Sequence, residues 1–169
     1  MMAIDDMIFR EMGLADVPVI AGMEREIFPQ PWSEGIFRDE LSRSDRFYLV
    51  AESEGAVLGF AGLMLIDEDA HVTTLAVRPN NRQFGLGTRL MLKLIDVALT
   101  QGSRNVTLEV RATNTGAQRL YEKFDMAAVG VRKHYYRDDD AVIMWVTDID
   151  RPEYAARLRQ IEAAIERTS

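Results

Sequence analysis

The segment from Arg82 to Thr88 carries the residues best suited to bind a ligand, because two glycines stand where a strand gives way to a helix. The apolar run from Leu75 to Val77 predicts the end of a strand, and a helix with apolar residues at helical spacing starts at Leu86. The first turn of a helix presents unpaired N–H groups and the positive end of the helix dipole, which favour an anion. Gly85 and Gly87 would let a phosphate approach the backbone without meeting a Cβ atom. The sequence therefore predicts a phosphate-binding turn, the alternative being an ordinary tight turn.

Two common nucleotide-binding motifs do not fit this turn. A Walker loop needs a lysine after its last glycine, but Thr88 follows Gly87. A dinucleotide fingerprint needs a third glycine where the chain has Leu90. The spacing of Arg82, Gly85 and Gly87 instead resembles the acetyl-coenzyme A signature of the GNAT family of N-acetyltransferases, and the preceding Leu-Ala-Val-x-Pro is also similar to that family.

This resemblance implies the GNAT fold and acetyl-coenzyme A (acetyl-CoA) as co-substrate, with no metal. Phe84 departs from the pattern, since a polar or basic residue is more usual there. That change removes one side-chain donor and leaves the backbone amides in place. The residues expected to bind acetyl-CoA are Leu75, Ala76, Val77, Arg82, Gln83, Phe84, Gly85, Leu86, Gly87, Thr88 and Asn114.

Glu109 is an acidic residue within a predicted strand, Asn105 to Val110, whose apolar residues alternate with polar ones. In a sheet covered on both faces such an acid requires an explanation. Glu109 either pairs with Arg111, two residues on and on the same face, or acts as a general base. Tyr121, on the following helix, is either a core tyrosine or an acid that protonates a leaving thiolate.

The choice of amine limits what a single carboxylate base can do. At pH 7, removing the proton costs about 1.4 kcal/mol for an α-amine, whose pKa is near 8, and about 4.6 kcal/mol for a lysine amine, whose pKa is near 10.4. One carboxylate, acting directly or through water, is therefore better matched to an α-amine.

A further set of residues resembles the RimI-like branch of the GNAT family. The similarity covers Leu108 to Asn114 with Leu120-Tyr121-Glu122, Pro31-Trp32-Ser33, and Arg132-x-x-Tyr135-Tyr136, within roughly Phe9 to Val146. In RimI-like enzymes the glutamate matching Glu109 is the base, the tyrosine matching Tyr121 is the acid, and the asparagine matching Asn114 contacts coenzyme A.

The same resemblance gives expectations for the acceptor side and for one helix end. Trp32, Tyr135 and Tyr136 are expected to contact the acceptor, the alternative being ordinary aromatic packing. The family usually has Gly-Phe where this chain has Asp125-Met126. Aspartate tolerates a left-handed helix end less well than glycine, so a different end of the Tyr121 helix is expected.

The order of predicted elements indicates an α/β fold with one mixed, mostly antiparallel sheet that is flanked by helices on both faces. Asp16 and Ser33 are predicted N-caps of the first two helices, and Ile36, Phe37 and Leu41 are predicted to form the buried side of the second. The predicted strands are Ile8 to Met12, Phe47 to Glu52, Ala56 to Ile66, His71 to Val77, Asn105 to Val110, Val129 to Tyr136 and Ala141 to Val146.

The length of 169 residues fits one domain. Residues 1–150 are predicted to form the GNAT domain. Residues 151–169 are predicted to be a C-terminal amphipathic helix extension, which begins at Pro152 and packs against that domain.

Composition excludes several classes of site. With no cysteine, the chain has no disulfide, thiolate metal site or cysteine acyl-enzyme, so direct attack on the donor is the simplest route. His71 and His134 lack metal-binding spacing and are interpreted as strand or surface histidines. The net charge of −7 argues against nucleic acid, although it is also consistent with an ordinary solvated surface. The longest apolar run, Val57 to Ile66, is about half the length that a membrane helix needs, and the first residues do not form a secretory signal, so a cytoplasmic location is expected.

These features predict an N-α-acetyltransferase whose acceptor is a peptide or protein N-terminus, with a ribosomal protein as the partner that the resemblance implies. Two alternatives stay open. The enzyme could acetylate a small amine such as a polyamine, an antibiotic or an amino acid, or the chain could be a catalytically silent coenzyme A-binding or partner subunit.

Overall fold

Seven strands and five helices make up the computed structural model, which describes residues 6–168 apart from the side chains of Gln83, Phe84 and Thr168. The strands are β1 (Ile8–Glu11), β2 (Arg46–Ser53), β3 (Ala56–Ile66), β4 (Asp69–Val77), β5 (Asn105–Arg111), β6 (Ala127–Arg132) and β7 (Ala141–Val146). The helices are α1 (Val17–Ile27), α2 (Glu34–Leu41), α3 (Leu86–Thr100), α4 (Thr115–Glu122) and α5 (Pro152–Thr168), with short 3₁₀ turns at Leu14–Asp16 and Pro79–Phe84.

The strands form one sheet in the order β1-β2-β3-β4-β5-β7-β6. The pairs β1–β2, β2–β3, β5–β7 and β6–β7 are antiparallel, whereas β4 and β5 run parallel. The predicted mixed and mostly antiparallel α/β sheet is therefore confirmed.

Contacts divide the chain into two compact units. Unit 1 comprises residues 6–64 and 73–94, and its core is an apolar cluster that includes Ile20, Phe37 and Phe60. Unit 2 comprises residues 65–72 and 95–168. Leu108, Phe124, Met144 and Ile161 are among its buried residues.

The C-terminal helix α5 lies in unit 2 and is attached there by both apolar and polar contacts. Tyr154 and Ile161 are buried, and the Tyr154 hydroxyl donates a hydrogen bond to the Phe124 carbonyl at 2.9 Å. The predicted packing of this helix thus has a structural basis. We retain residues 1–150 as the proposed catalytic domain and α5 as its proposed extension.

Two turns and one helix start have the residue types that their backbone geometry requires. Glu54 and Gly55 connect β2 to β3 and both have positive φ, which is the conformation of a tight hairpin turn. Gly102, with φ +84°, follows the end of α3 as expected for a helix C-terminus. The Ser33 hydroxyl accepts a hydrogen bond from the Ile36 amide and so caps α2.

Two predictions near the first helices are only partly confirmed. Asp16 is the N-cap residue of α1, but its carboxylate accepts hydrogen bonds from Arg10 and from the Gly13 amide and makes no hydrogen bond to an amide of that helix. The nearby guanidinium also lowers the pKa of Asp16. On α2, Phe37 is fully buried whereas Ile36 is 44% exposed, because the helix turns only one narrow apolar face inward.

The second predicted hairpin is shorter than expected. β6 ends at Arg132 instead of reaching Tyr136, and residues 133–140 form turns. Aspartates hold this connection in place: Asp138 pairs with Arg111, Asp139 accepts from Thr113, and Asp140 accepts from the His134 amide. These long-range contacts outweigh the strand preference of the local sequence.

Asp125 ends α4 in the left-handed conformation, with φ +61°, so the backbone takes the form expected for a glycine. The Met126 amide donates a hydrogen bond to the Tyr121 carbonyl at 3.3 Å, and a helix end different from that of relatives stays a prediction. The cost falls on Asp125, whose Cβ disfavours positive φ.

Replacing Asp125 by glycine is expected to raise the free energy of unfolding by about 0.5–1 kcal/mol, because the Cβ penalty disappears while some unfolded-state entropy is gained. Urea denaturation measures this change. Asp125→Ala is the matched control, since it also removes the 3.6 Å pair with Arg157 but keeps the Cβ atom. An equal gain from Asp125→Ala would contradict the backbone explanation.

Candidate active site

The segment between β4 and α3 has the predicted arrangement of strand, glycine-containing turn and helix. The 3₁₀ turn Pro79–Phe84 leads into Gly85, which has φ +67° and ψ +18°, and α3 begins at the next residue. A side chain at a left-handed position is strained, so glycine suits this point. The first backbone N–H groups of a helix have no carbonyl partner within the helix, so those of α3 can donate hydrogen bonds to a ligand.

The helix that supplies those amides is fixed by its apolar face. The Arg89 amide donates to the Gly85 carbonyl at 3.0 Å, which is the first bond of the helical ladder. Along the predicted face the side chains are buried: Leu86, Leu90, Leu94 and Ala98. Because these side chains hold α3, its N-terminus has a defined direction.

Four of the other residues predicted for acetyl-CoA belong to the end of β4 or to this turn. Ala76 and Val77 are buried at the end of β4, and Leu75 is half-buried. The Arg82 Nε donates to the Val77 carbonyl at 3.2 Å, so this side chain ties the turn to the strand end.

Four more of the predicted acetyl-CoA residues belong to the first turn of α3 or to the short turn before it. Gly87 lies in that first helical turn with Thr88, whose side chain is buried. The side chains of Gln83 and Phe84 fall outside the described part of the structure, so their contribution stays a prediction.

Glu109 lies on β5 as the alternation predicted. Val106, Leu108 and Val110 are buried, and Glu109 points to the opposite face with 14% of its side chain exposed. Its carboxylate shares a 2.5 Å hydrogen bond with His71 Nε2, and Arg132 Nη2 lies 3.8 Å from its other oxygen. The Glu109 carboxylate is thus largely buried, with a hydrogen bond to His71 and an ion pair with Arg132.

The alternative in which Glu109 pairs with Arg111 is wrong. Arg111 instead bonds Asp138 at 2.7 Å, and its guanidinium lies 4.3 Å from the centre of the Tyr136 ring. Asp138 and Tyr136 belong to the 133–140 connection, which lies beside this end of β5. The Arg111 guanidinium contacts these two residues and does not pair with Glu109.

The contact between His71 and Glu109 was not predicted from the sequence, which indicated only a strand or surface histidine. His71 lies on β4, whose parallel register places it opposite Thr107, two residues before Glu109 on the same face of β5. A pairing of β4 with β5, read together with the alternation of both strands, would have indicated this contact. His134, by contrast, is exposed in the 133–140 connection.

Tyr121 is buried on α4, at 7% exposure. Burial, together with the neighbouring Tyr136, raises the pKa of its hydroxyl well above the ordinary range, so the group is protonated at neutral pH and has a proton to donate. The Asn114 side-chain oxygen accepts a hydrogen bond from the Ala117 amide and caps α4. The helix accordingly starts at Thr115, and the cap does not use the side-chain amide nitrogen of Asn114.

The aromatic residues predicted for the acceptor side have different surroundings. Tyr135 is half exposed, and its ring lies 5.0 Å from the Tyr136 ring in an edge-on arrangement. In unit 1, Trp32 packs against Phe37 with ring centres 5.4 Å apart. The assignment of these residues to an acceptor stays a prediction.

A buried acid on α1 supports the segment that carries Trp32. Glu24 is 4% exposed and accepts a hydrogen bond from the Trp32 backbone amide. Its Oε2 has no hydrogen-bond partner within the described residues. Burial raises the pKa of Glu24 to about 7, and the Trp32 amide offsets only part of that effect.

A neutral replacement at this position should stabilise the protein in a pH-dependent way. Because the folded-state pKa of Glu24 is raised, the unfolded chain releases the proton first, and stability falls as pH rises from about 4.5 to about 7. Glu24→Gln should therefore raise the free energy of unfolding by on the order of 2 kcal/mol at pH 8 and by little near pH 4.5. Urea denaturation at both pH values checks this, with exposed Glu162→Gln as control. An equal gain at both pH values would contradict burial as the cause.

Within residues 6–168, no group of three or more His, Asp or Glu side chains is arranged to hold a metal ion. Over the same residues, no helix has the length and apolar character required to cross a bilayer.

Sequence comparison identifies the family. The model of the acetyltransferase (GNAT) family matches residues 18–126, which include the turn before α3, Glu109 and Tyr121. The chain belongs to the GNAT family. As a member it is an acetyl-CoA-dependent acyltransferase with the GNAT fold.

Individual relatives share much of the chain. One relative is a Bacillus subtilis (strain 168) protein that is provisionally named a ribosomal protein bS18-alanine N-acetyltransferase. It is 38% identical over 141 residues, which cover 82% of this chain and 93% of that protein. The Mycobacterium tuberculosis N-alpha-acetyltransferase RimI is 34% identical over 129 residues, covering 73% and 80%. These names place the chain among RimI-like GNAT proteins.

Solved structures agree with the GNAT fold. The crystal structure of the Escherichia coli ribosomal-protein-S18-alanine N-acetyltransferase matches with a TM-score of 0.77 at 28% identity, over 84% of this chain and 94% of that one. Ard1 from Thermoplasma volcanium matches with a TM-score of 0.78 at 24% identity, over 84% and 97%, and supports the fold alone.

Proposed function

We propose that this GNAT protein transfers the acetyl group of acetyl-CoA to the N-terminal α-amine of a protein. The observation that carries the proposal is the largely buried Glu109 carboxylate, which lies on β5, shares a hydrogen bond with His71 and has Arg132 Nη2 at 3.8 Å. The names of the B. subtilis and E. coli relatives point to the N-terminal alanine of a ribosomal protein as the acceptor. Since ribosomes are cytoplasmic, the proposal places the enzyme in the cytoplasm.

In this proposal the turn before α3 binds the diphosphate of acetyl-CoA. The backbone amides of residues 85–88 donate to it, and the helix dipole adds a favourable field. The left-handed Gly85 and the buried apolar face of α3 support this role, because they hold the amides in place without ligand. Arg82, Gln83 and Asn114 are proposed as additional contacts.

Glu109 is the proposed general base. It removes a proton from the acceptor ammonium, and the resulting amine attacks the thioester carbon. Deprotonating an α-amine at pH 7 costs about 1.4 kcal/mol, against about 4.6 kcal/mol for a lysine, which supports an N-terminal acceptor. Trp32, Tyr135 and Tyr136 are the proposed acceptor contacts.

Tyr121 is the proposed acid that protonates the departing thiolate, and its substitution gives a specific prediction. Tyr121→Phe removes the proton donor and keeps the buried ring, so kcat should fall about 10- to 100-fold while the affinity for acetyl-CoA changes little. Steady-state kinetics and isothermal titration measure the two quantities. Tyr154→Phe, which removes a buried hydroxyl on α5, is the matched control. Unchanged kcat in Tyr121→Phe would exclude the acid role.

The decisive experiment is mass spectrometry of peptides after incubation with the protein and acetyl-CoA. The panel contains N-terminal peptides, including alanine-initiated ribosomal sequences, the same peptides with a blocked α-amine and a free lysine, and a polyamine. Acetylation confined to free α-amines is expected. Modification of the polyamine alone would contradict the proposal. Thermal stabilisation by acetyl-CoA tests the co-substrate separately, since a ligand that binds the folded state raises its melting temperature.

A further inference from the structure

The two oxygens of the Glu109 carboxylate have different partners. Oε2 shares a hydrogen bond of 2.5 Å with His71 Nε2, and because an ionised carboxylate can only accept, His71 donates it. Oε1 lies 3.8 Å from Arg132 Nη2, which is beyond hydrogen-bond distance, and no other polar partner of Oε1 is found among residues 6–168. Glu109, His71 and Arg132 all belong to unit 2. Oε1 is therefore the oxygen that remains available to an acceptor amine.

Arg132 is the weakly held member of this group. Its side chain is 56% exposed, whereas that of Glu109 is 14% exposed. Its guanidinium carbon also lies 5.8 Å from the centre of the Tyr135 ring, and Tyr135 is itself half exposed. An exposed ion pair at this separation contributes little to stability, and the contact of a cation with an exposed ring is similarly weak. The Arg132 side chain can therefore leave Glu109 at a small cost in free energy.

The acceptor of the proposed reaction carries the same charge as Arg132 when it binds. An N-terminal α-amine, whose pKa is near 8, is mostly a cationic ammonium at pH 7. Two cations beside one carboxylate oxygen repel each other, and each reduces the attraction that the carboxylate exerts on the other. The Arg132 guanidinium and the acceptor ammonium therefore compete for Oε1 of Glu109.

We propose that Arg132 occupies the ammonium subsite of the enzyme, on the Oε1 side of Glu109, and that the acceptor displaces it in order to bind. The subsite takes the primary ammonium of a peptide N-terminus, and the guanidinium moves towards Tyr135 and solvent when that ammonium arrives. Arg132 therefore sets the affinity for the acceptor without taking part in the chemistry. The inference rests on the proposed acetyltransferase function and deepens it, because it assigns the oxygen that receives the acceptor.

Arg132→Gln is the direct test, because it removes the competing charge and keeps a polar side chain. We expect the KM for an alanine-initiated peptide to fall about three- to tenfold, whereas kcat at saturating peptide and the affinity for acetyl-CoA stay within about twofold. Arg132→Lys keeps the charge and should leave the KM close to the wild-type value. Arg159→Gln, at an exposed position on α5, makes the same change of net charge and should also leave the KM unchanged.

Isothermal titration separates the contribution of the ammonium from that of the rest of the peptide and needs no turnover. A propionyl-initiated analogue of the same peptide lacks the ammonium, so its affinity should be equal for the wild type and Arg132→Gln. In a Glu109→Gln background, Arg132→Gln should no longer increase the affinity for the alanine-initiated peptide, because the carboxylate for which the two cations compete is gone.

A higher or unchanged KM in Arg132→Gln, with active wild-type enzyme, would overturn the displacement and leave the acetyltransferase proposal intact. An equal gain in affinity for the propionyl analogue would show that Arg132 obstructs the peptide by its size, and this result would also overturn the displacement. Wild-type protein that neither binds nor acetylates any α-amine peptide would overturn both proposals. Thermal unfolding of each variant verifies that it is folded.

Discussion

Glu109→Gln is expected to lower kcat by a factor of 10²–10³, which corresponds to about 3–4 kcal/mol of transition-state stabilisation. Glutamine keeps the size of the side chain and an oxygen that can accept a hydrogen bond from His71, but it cannot take a proton. The affinity for acetyl-CoA should stay within about twofold, because Glu109 is not among the residues proposed to bind it.

Kinetics with an alanine-initiated peptide and isothermal titration with acetyl-CoA measure the two quantities. Glu162→Gln on the exposed face of α5 makes the same chemical change away from β5 and should behave as wild type. Full turnover in Glu109→Gln would show that another group is the base. Equal losses in kcat and in acetyl-CoA affinity would indicate a structural role for Glu109.

Gly62→Ala is expected to lower the free energy of unfolding by about 3 kcal/mol, at the upper end of the range for overpacked cores. A Cβ atom at this position would lie closer than 3.0 Å to the Tyr48 ring and 2.8 Å from Thr73 Oγ1. The ring cannot move aside freely, because the Tyr48 hydroxyl shares a 3.0 Å hydrogen bond with the Thr73 hydroxyl and the residue is 4% exposed.

Urea denaturation measures this loss, and Gly130→Ala is the matched control because a Cβ atom there would meet only Ile143 Cδ1 at 3.6 Å. In a Tyr48→Ala background the cost of Gly62→Ala should fall sharply, since the ring that causes the clash is gone. Equal costs for Gly62→Ala in both backgrounds would exclude the Tyr48 ring as the cause.

Most of the elements that present the proposed site were predictable because their signals are local. The apolar face of α3 and the left-handed glycine before it fixed the turn, since a helix repeats every 3.6 residues and only glycine takes positive φ without penalty. The alternation of β5 placed Glu109 opposite a buried apolar face for the same kind of reason. The resemblance to the GNAT family added the proposed catalytic roles, which neither periodicity nor spacing provides.

The errors share one physical cause. The capping role of Asp16 and the end of β6 were predicted from neighbours in the sequence, but both depend on contacts with residues elsewhere in the chain. Asp16 binds Arg10 instead of a helix amide, and the aspartates of the 133–140 connection bind Arg111, Thr113 and a backbone amide. Local propensity is a weak influence, and a few specific hydrogen bonds outweigh it.

By itself, the sequence determined which segments become strands and helices around the turn at Gly85, and which face of β5 carries Glu109. It also determined, through its family resemblance, the use of acetyl-CoA. Only the tertiary structure decided what Glu109 touches, because the partner of a strand residue depends on which strand lies beside it. The parallel pairing of β4 with β5 brings His71 into contact with Glu109, although 38 residues separate them in the sequence. Arg111 pairs with Asp138 and therefore does not pair with Glu109.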